Sequence, residues 1–344
     1  MRLDLLLLLI IWITSALKAE KVIYFEAPTS KSIKVPYVSQ TVTFKRTIEV
    51  WSEDLFAVTV DDAWNKTAGP VRLTSSLSRE ILPVSNTRGG SHEVEFCSIG
   101  FDWIDLEGAQ PAPSEIKRLK FDLSGGDALN TTESIVVTDP CHRYPCHSPT
   151  FSPVTGEYMA YLCVQAFNKY QLWILNSAEG SSIRVAEDFN GSICEPSWGE
   201  DTAENSLILF ENRYKISGFD YKNTATFNIV NPKDQQGAND YLNQTGYETM
   251  GRPDLELTAA TLLFLGNSRD LVLADFSASG KTVTNPTVLT GLPQKGYDLS
   301  QDATAVVAAL YNGKKFTLAV ISTADKSLQW IDTGDLEPAN PCWD

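Results

Sequence analysis

The sequence predicts an all-β protein, a β-propeller of six blades with seven as the alternative. Three observations carry this: a recurring unit of short apolar strands, Gly/Asp/Ser turns between them, and no run with helical period. The stretch Cys146 to Gly180, "CHSPTFSPVTGEYMAYLCVQAFNKYQLWILNSAEG", shows the unit in full, as two alternating runs divided by a Ser-Pro/Thr-Gly turn. Such a hairpin leaves a hydrophobic face uncovered, so it must recur for the chain to fold.

It recurs at a Pro-x-aromatic anchor. "SPTFSPVTGEYMAYL" from Ser148 is followed by "EPSWGEDTAENSLILF" from Glu195, "GRPDLELTAATLLFL" from Gly251 and "GYDLSQDATAVVAAL" from Gly296. The anchors Pro149, Pro196, Pro253 and Asp298 stand 47, 57 and 45 residues apart. Each unit gains a second β-rich run: "QLWILN" from Gln171, "KISGFDY" from Lys215, "DLVLADF" from Asp270 and "FTLAVIS" from Phe316. The same second element occurs upstream as "DLFAVTVDD" from Asp54, closed by "GPVRLT" from Gly69, and as "RLKFDLSGG" from Arg118. Six units are visible, and a period of about 45 to 55 residues with four strands each is that of propeller blades. "PSEIKRL" from Pro113 is too short for an independent helix. The weaker match before residue 140 leaves a second reading, a β-sandwich over 20–140 and a partial propeller over 141–344. Because an open ring exposes strand edges, "KVIYFEAP" from Lys21 is expected to pair into the blade of Gly296 to Asp332.

The flanks set the compartment. Arg2, an apolar run from Leu5 to Ile13, and small residues at Ala16 and Ala19 make residues 1–19 a signal peptide. The run is about half the ~20 residues of a membrane span, so a secreted single domain over 20–344 is expected, without a membrane span and as a monomer. With 28 basic against 43 acidic residues, a net charge of −15 opposes nucleic-acid binding. The sequons at Asn65, Asn130, Asn190 and Asn243 fit a glycoprotein. Cys97, Cys141, Cys146, Cys163, Cys194 and Cys342 are disulfide candidates in that compartment. Cys141 with Cys146, Cys163 with Cys194, and Cys97 with Cys342 are plausible pairs among the 15 pairings that six cysteines allow. "DPCHRYPCHSP" from Asp139 is the one dense group of potential metal ligands, but it lacks the two separated knuckles of a closed zinc site. No metal and no cofactor are expected.

The stretch from Ser148 to Gly180 resembles the repeat of TolB-like propellers, where a Ser-Pro-x-aromatic-Ser-Pro-Asp-Gly turn precedes an apolar strand. It is also similar to the N-terminal propellers of the prolyl oligopeptidase family, including dipeptidyl peptidases. Here Val154-Thr155-Gly156 replaces the usual Asp-Gly, one residue longer. Those repeats are structural, so the resemblance implies blades and no active site.

The hydrolase chemistry of those peptidases needs a Gly-x-Ser-x-Gly elbow followed by an acid and a histidine. The elbow is absent, and the histidines are His92, His142 and His147, so no serine beyond 147 precedes a base. The aspartate box of sialidases fails at Val154 and Met159. Acids such as Asp102, Asp105, Asp254 and Glu256 could line a funnel as in propeller glycosidases, but acids at blade turns ordinarily cap turns and face solvent. Trp51, Trp64, Trp103, Trp173, Trp198 and Trp330 are expected mainly between blades. The reading is a non-catalytic binding module for a peptide, protein or glycan at the funnel or top face. The alternatives are a propeller enzyme of glycosidase or lyase type, or a remnant of a prolyl oligopeptidase-like peptidase.

Overall fold

The computed structural model describes residues 21–38, 43–76, 78–85, 92–99, 114–124, 127–138, 146–152, 158–166, 169–176, 180–186, 193–202, 205–212, 215–220, 238–240, 242–277 and 282–344. The expected signal peptide, Asp102, Trp103, Asp105, Cys141, His142 and Asn190 lie outside them, as do the side chains of Trp51, Cys146, His147, Cys194 and Asn243.

Every regular element among the described residues is a strand. The first sheet uses β1 (Lys21–Val38), β2 (Thr43–Val60) and β3 (Lys66–Arg72), and the second uses β4 (Arg79–Ser85), β5 (His92–Ile99), β6 (Ser114–Ser124) and β7 (Asp127–Thr138). The third consists of β8 (Cys146–Phe151), β9 (Tyr158–Ala166), β10 (Lys169–Asn176) and β11 (Ser181–Ala186). Next come β12 (Ile193–Thr202), β13 (Asn205–Asn212), β14 (Lys215–Asp220) and β15 (Ala238–Asp240). The short β16 (Leu242–Asn243) then joins β17 (Met250–Glu256), β18 (Thr261–Gly266), β19 (Asp270–Ser277) and β20 (Thr282–Thr290), pairing parallel to β20. The last consecutive set is β21 (Gln294–Leu299), β22 (Ala305–Tyr311), β23 (Phe316–Ser322) and β24 (Leu328–Ile331).

This is a β-propeller of antiparallel meanders. Among the described residues there are six sheets: five are regular four-stranded blades, and the β16–β20 sheet carries a fifth strand. Strand pairing follows the repeat: the runs from Asp54, Arg118, Gln171, Lys215, Asp270 and Phe316 lie in β2, β6, β10, β14, β19 and β23. "PSEIKRL" contributes to strand β6.

Closure differs from the sequence expectation. β1 does not enter the sheet of β21–β24, which is complete with its own four strands. Instead the C-terminal β25 (Ala339–Trp343) pairs with β1 and supplies the inner strand of the first sheet. Either arrangement hides an edge; this one places the tail on the propeller axis.

The sheets are held by wedges of side chains, and strand alternation sorts them. On β1, Ile23 and Phe25 pack with Val307, Leu318, Val320 and Ile331 of the β21–β24 sheet. The intervening Val22 and Tyr24 turn to Val94, Phe96, Leu119 and Phe121 of the second sheet. Both faces are buried, so β22 reads as a continuous apolar run with every residue from Ala305 to Leu310 buried. Each such Leu, Val, Ile or Phe contributes roughly 1.5–3 kcal/mol. Trp198 is buried as expected, whereas Trp330 is 39% exposed on β24, a blade edge with no neighbour to fill.

Candidate functional site

The inner strands β4, β8, β12, β17, β21 and β25 share a local irregularity. Each has a register shift against its neighbour, at Ile81/Val84, His147/Thr150, Cys194/Ser197, Gly251/Asp254, Gln294/Tyr297 and, for β25, Tyr24/Glu26. Pro83, Pro149, Pro196, Pro253 and Pro341 sit at five of these bulges, where a missing N–H costs the ladder nothing. The residues before three of them, Leu82, Arg252 and Asn340, have φ of +55°, +52° and +43°. The buried Glu26 carboxyl holds two of these, accepting from the Leu82 N–H at 2.6 Å and from Asn340 Nδ2 at 3.0 Å. In the sixth strand Gly296 takes the left-handed position at φ +97°, and a Cβ there would lie 2.5 Å from Asn340 Oδ1 and 2.8 Å from its backbone nitrogen.

Beyond each bulge a side chain points across to the next inner strand. Thr150 Oγ1 accepts the Trp198 N–H at 3.3 Å, and Ser197 Oγ accepts that of Leu255 at 3.0 Å. Asp254 Oδ2 accepts the Leu299 N–H at 2.5 Å, and Asp298 Oδ2 accepts that of Trp343 at 2.7 Å. The Cys342 sulfur receives the Ser85 backbone N–H. The sixth position is Val84, whose side chain has no acceptor. Five links of a six-membered belt therefore run round the axis, satisfying backbone donors that a bulged inner strand leaves without a ladder partner.

The belt is the waist of a channel. On one side a cavity of about 150 Å³ is walled by the five prolines with Tyr297, Arg252 and Asn340. On the other a cavity of about 580 Å³ is walled by Lys21, Trp64, Trp198, Glu256, Ser300, Asp302, Trp343 and Asp344, among others. Val84, Thr150, Ser197, Asp254, Asp298 and Cys342 belong to both.

The electrostatics of this wall are one-sided. Burial raises the Asp254 carboxyl to about 6 against hydrogen bonds from Leu299, Asp298 and Ser197. Burial and the neighbouring Asp254 charge push Asp298 well above the carboxylate range, and the two carboxyls hydrogen-bond each other. That contact requires a shared proton. Glu256 is raised to about 8 by burial, then by the charges of Asp254 and Asp302. Asp302 is lowered, chiefly by the Ser300 hydroxyl at 2.7 Å, with Thr304 and the Lys21 charge adding to it. The Cys342 thiol is pushed well above its usual value by burial and by Asp298 and Asp344. Asp344 itself accepts from Ser85 Oγ at 2.8 Å and pairs with His92 Nδ1 at 2.7 Å.

Two sequence expectations are corrected here. Asp254 and Glu256 face the channel rather than solvent, because both lie on the inner strand β17, not at a turn. Cys342 and Cys97 are buried and not joined in a disulfide; Cys342 serves the belt. Cys163, buried in β9, stands opposite Cys146 in register. Asn65 and Asn130 are exposed. Sequence reasoning missed Asp298 as a channel group, having used it only as a repeat anchor, and missed Asp302, Trp343 and Asp344. The shared Pro-x step at 83, 149, 196, 253 and 341 was the available signal. Among the described residues no group of three or more His, Cys, Asp or Glu is placed to hold a metal, and no helix is long and apolar enough to cross a membrane.

Fold and channel together define a β-propeller with an acidic, tryptophan-lined axial cavity. TolB from Acinetobacter baumannii superposes with a TM-score of 0.57 at 15% identity, over 84% of this chain and 62% of the TolB chain. The chain thus spans less than two thirds of TolB. A nidogen/laminin complex chain gives 0.54 at 6% identity, over 94% of this chain and 98% of that one. The periplasmic gluconolactonase of Pseudomonas aeruginosa gives 0.51 at 11% identity, over 94% and 99%. At these identities the likeness is one of fold. No protein-family model matches the chain, and no curated protein matches it.

Proposed function

We propose that this chain is a secreted, non-catalytic binding module that takes a peptide, protein or glycan group into its axial channel. The observation that carries this is the 580 Å³ cavity, to which every inner strand contributes and whose wall combines Trp64, Trp198 and Trp343 with hydroxyls and carboxyls. Concave sites of that size are the usual form of ligand pockets. The channel carboxyls of Asp254 and Asp298 are already occupied by backbone donors, so they are poorly suited to act as nucleophile or base. We read residues 20–344 as one propeller, and take Asn65 and Asn130 as glycosylation sites and Cys163 as a member of a disulfide. A periplasmic location for one fold neighbour agrees with export.

The test is a screen of the purified protein against peptide and glycan libraries, repeated with Trp64→Ala. A ligand bound by the parent and lost in the variant supports the module; binding that ignores Trp64 places the site elsewhere.

A second reading has one observation of its own. Glu256, protonated near neutrality beside Asp302, has the character of a general acid in a two-carboxylate glycosidase. Release of chromophore from aryl glycosides, abolished by Glu256→Gln, would establish that enzyme. Labelling of a serine by a fluorophosphonate would instead overturn the binding module and show that the propeller had assembled a nucleophile and base of its own.

A further inference from the structure

We propose that the larger cavity binds an uncharged sugar unit, at a gap framed by Lys21, Asp302 and the Trp64–Trp343 ring pair. This rests on the binding-module reading and selects one ligand class from those it allows.

The gap is built from anchored parts. Trp64 stands in the turn between β2 and β3, where its N–H donates to the Asp61 carbonyl at 2.9 Å and the Asp61 carboxylate accepts the N–H groups of Ala63 and Asn65. Lys21, the first residue of β1, lays its Nζ 4.2 Å from the centroid of the Trp64 ring. Asp302 stands in the turn between β21 and β22. There its Oδ1 accepts from the Ser300 and Thr304 hydroxyls at 2.7 Å each and from the Thr304 N–H at 3.1 Å, while no such bond among the described residues ends on Oδ2. The Asp302 carboxyl is held below its ordinary value first by the Ser300 hydroxyl, and the Lys21 charge adds to this, yet no ion pair joins the two. An ammonium and a carboxylate thus line one cavity, each fixed by its own neighbours and kept apart.

A second, independent donor belongs to the same wall. Trp343 is only 9% exposed, lines the cavity and packs on Trp64 at 5.2 Å, and its indole Nε1 has no acceptor. A buried donor left unmet costs about 1–3 kcal/mol, which an oxygen brought by a ligand would recover.

These groups select by charge. Lys21 repels a ligand cation, and Asp302 repels an anion. A hydroxyl suits both, since it donates one hydrogen bond and accepts two. It can donate to Asp302 Oδ2 while accepting from Lys21 Nζ, and a second ligand oxygen can accept from Trp343 Nε1 once the Trp64 ring shifts to admit it. The belt carboxyls do not compete, because Asp254 and Asp298 already accept the Leu299 and Trp343 N–H groups. Asp344 is likewise engaged by Ser85 and His92. A peptide is served less well. Leu255 and Leu299 of this wall are packed into the wedges between sheets, so apolar recesses for its side chains are lacking there.

The experiment is saturation-transfer NMR of the full chain with the methyl glycosides of glucose, galactose, mannose and N-acetylglucosamine. Methyl glucuronide and methyl glucosaminide serve as the anionic and cationic counterparts, and N-acetyl-trialanine amide as a neutral peptide. A neutral glycoside should bind, and both charged counterparts should bind roughly tenfold more weakly or not at all. Lys21→Met and Asp302→Asn should each weaken that glycoside roughly tenfold. Trp343→Phe removes the N–H along with part of the ring, so it should weaken binding roughly fivefold and leave the melting temperature near the parent value. A purely structural Trp343 would not separate those two readouts. If Asp302→Asn loosens its turn, the charged counterparts on the parent protein interrogate the same gap. Failure of every neutral glycoside, a charged counterpart that binds equally well, or binding indifferent to Lys21→Met and Trp343→Phe each overturns the sugar seat. Binding of the peptide without any glycoside overturns this inference and leaves the binding module standing, whereas no ligand from either these probes or the libraries removes both.

Discussion

The two arcs of the belt perform the same mechanical task with different chemistry. On one arc Thr150 and Ser197 accept the backbone N–H groups of Trp198 and Leu255 with neutral hydroxyls. On the other, Asp254 and Asp298 accept those of Leu299 and Trp343 with carboxyls that burial drives toward protonation. A hydroxyl is sufficient for the link, as the first arc demonstrates. Carboxyls in the second arc therefore cost desolvation that the fold alone does not require. Buried titratable groups where neutral ones would serve point to a role beyond stability, and this arc is the one that adjoins Glu256.

The comparison can be broken most severely at the closing strand. Removing residues 339–344 strips the inner strand from the first sheet, deletes Cys342 and Trp343 from the belt, and opens the wedge that Trp343 fills. We expect a loss on the scale of a large core truncation, roughly 3–5 kcal/mol or more, seen as a large fall in denaturant midpoint. A shift within error would mean that β25 is not the seam.

Gly296→Ala should come next. Its φ of +97° and the 2.8 Å approach to the Asn340 backbone leave no room for a methyl group, so a destabilisation of about 1–3 kcal/mol is expected. Asn340→Ala should not rescue it, because the clash includes main-chain atoms.

The arcs themselves are compared by Ser197→Ala and Asp298→Asn. Ser197→Ala orphans the Leu255 N–H and should cost about 1–3 kcal/mol at every pH. Asp298→Asn keeps an acceptor for Trp343 and a donor for Asp254, so it should be near neutral at pH 5 and stabilising at pH 8 relative to the parent.

The smallest effect is the pH profile behind that prediction. Asp254, Asp298 and Glu256 have folded values raised above those of the unfolded chain, near 4. The folded state thus holds protons that the unfolded state releases. Their contribution is fully present below about pH 4 and is lost as pH rises through about 6 for Asp254 and about 8 for Glu256. The melting temperature of the parent should fall over that interval, and the fall should shrink in Asp298→Asn combined with Glu256→Gln. A profile that rises with pH would falsify the shared-proton arc.

Legibility in the sequence was uneven for physical reasons. The anchors Pro149, Pro196 and Pro253 stood out because a proline followed by a polar and an aromatic or apolar residue repeats beside strong strands. They mark the bulged inner strands. Pro83 and Pro341 carry the same role without a legible repeat around them, since one lies in the less regular first third and the other in a six-residue tail. The channel position of Asp254 and Glu256 is not legible in the sequence, because acidic side chains near Gly and Pro ordinarily mark turns.

What the sequence by itself determined is local. Alternation of apolar residues set the strands, Gly and Asp set the turns between them, and the repeat set the meander, because each depends on residues within a few positions of one another. What only the tertiary structure decided is the partner of each chain end and the direction of each inner side chain. Tyr24 pairs with Cys342 across the whole length of the chain, and Asp254 meets Asp298 because two inner strands converge on one axis. Period-two patterning states that successive side chains alternate, but where two faces are both buried it does not distinguish wedge from wedge, or wedge from channel.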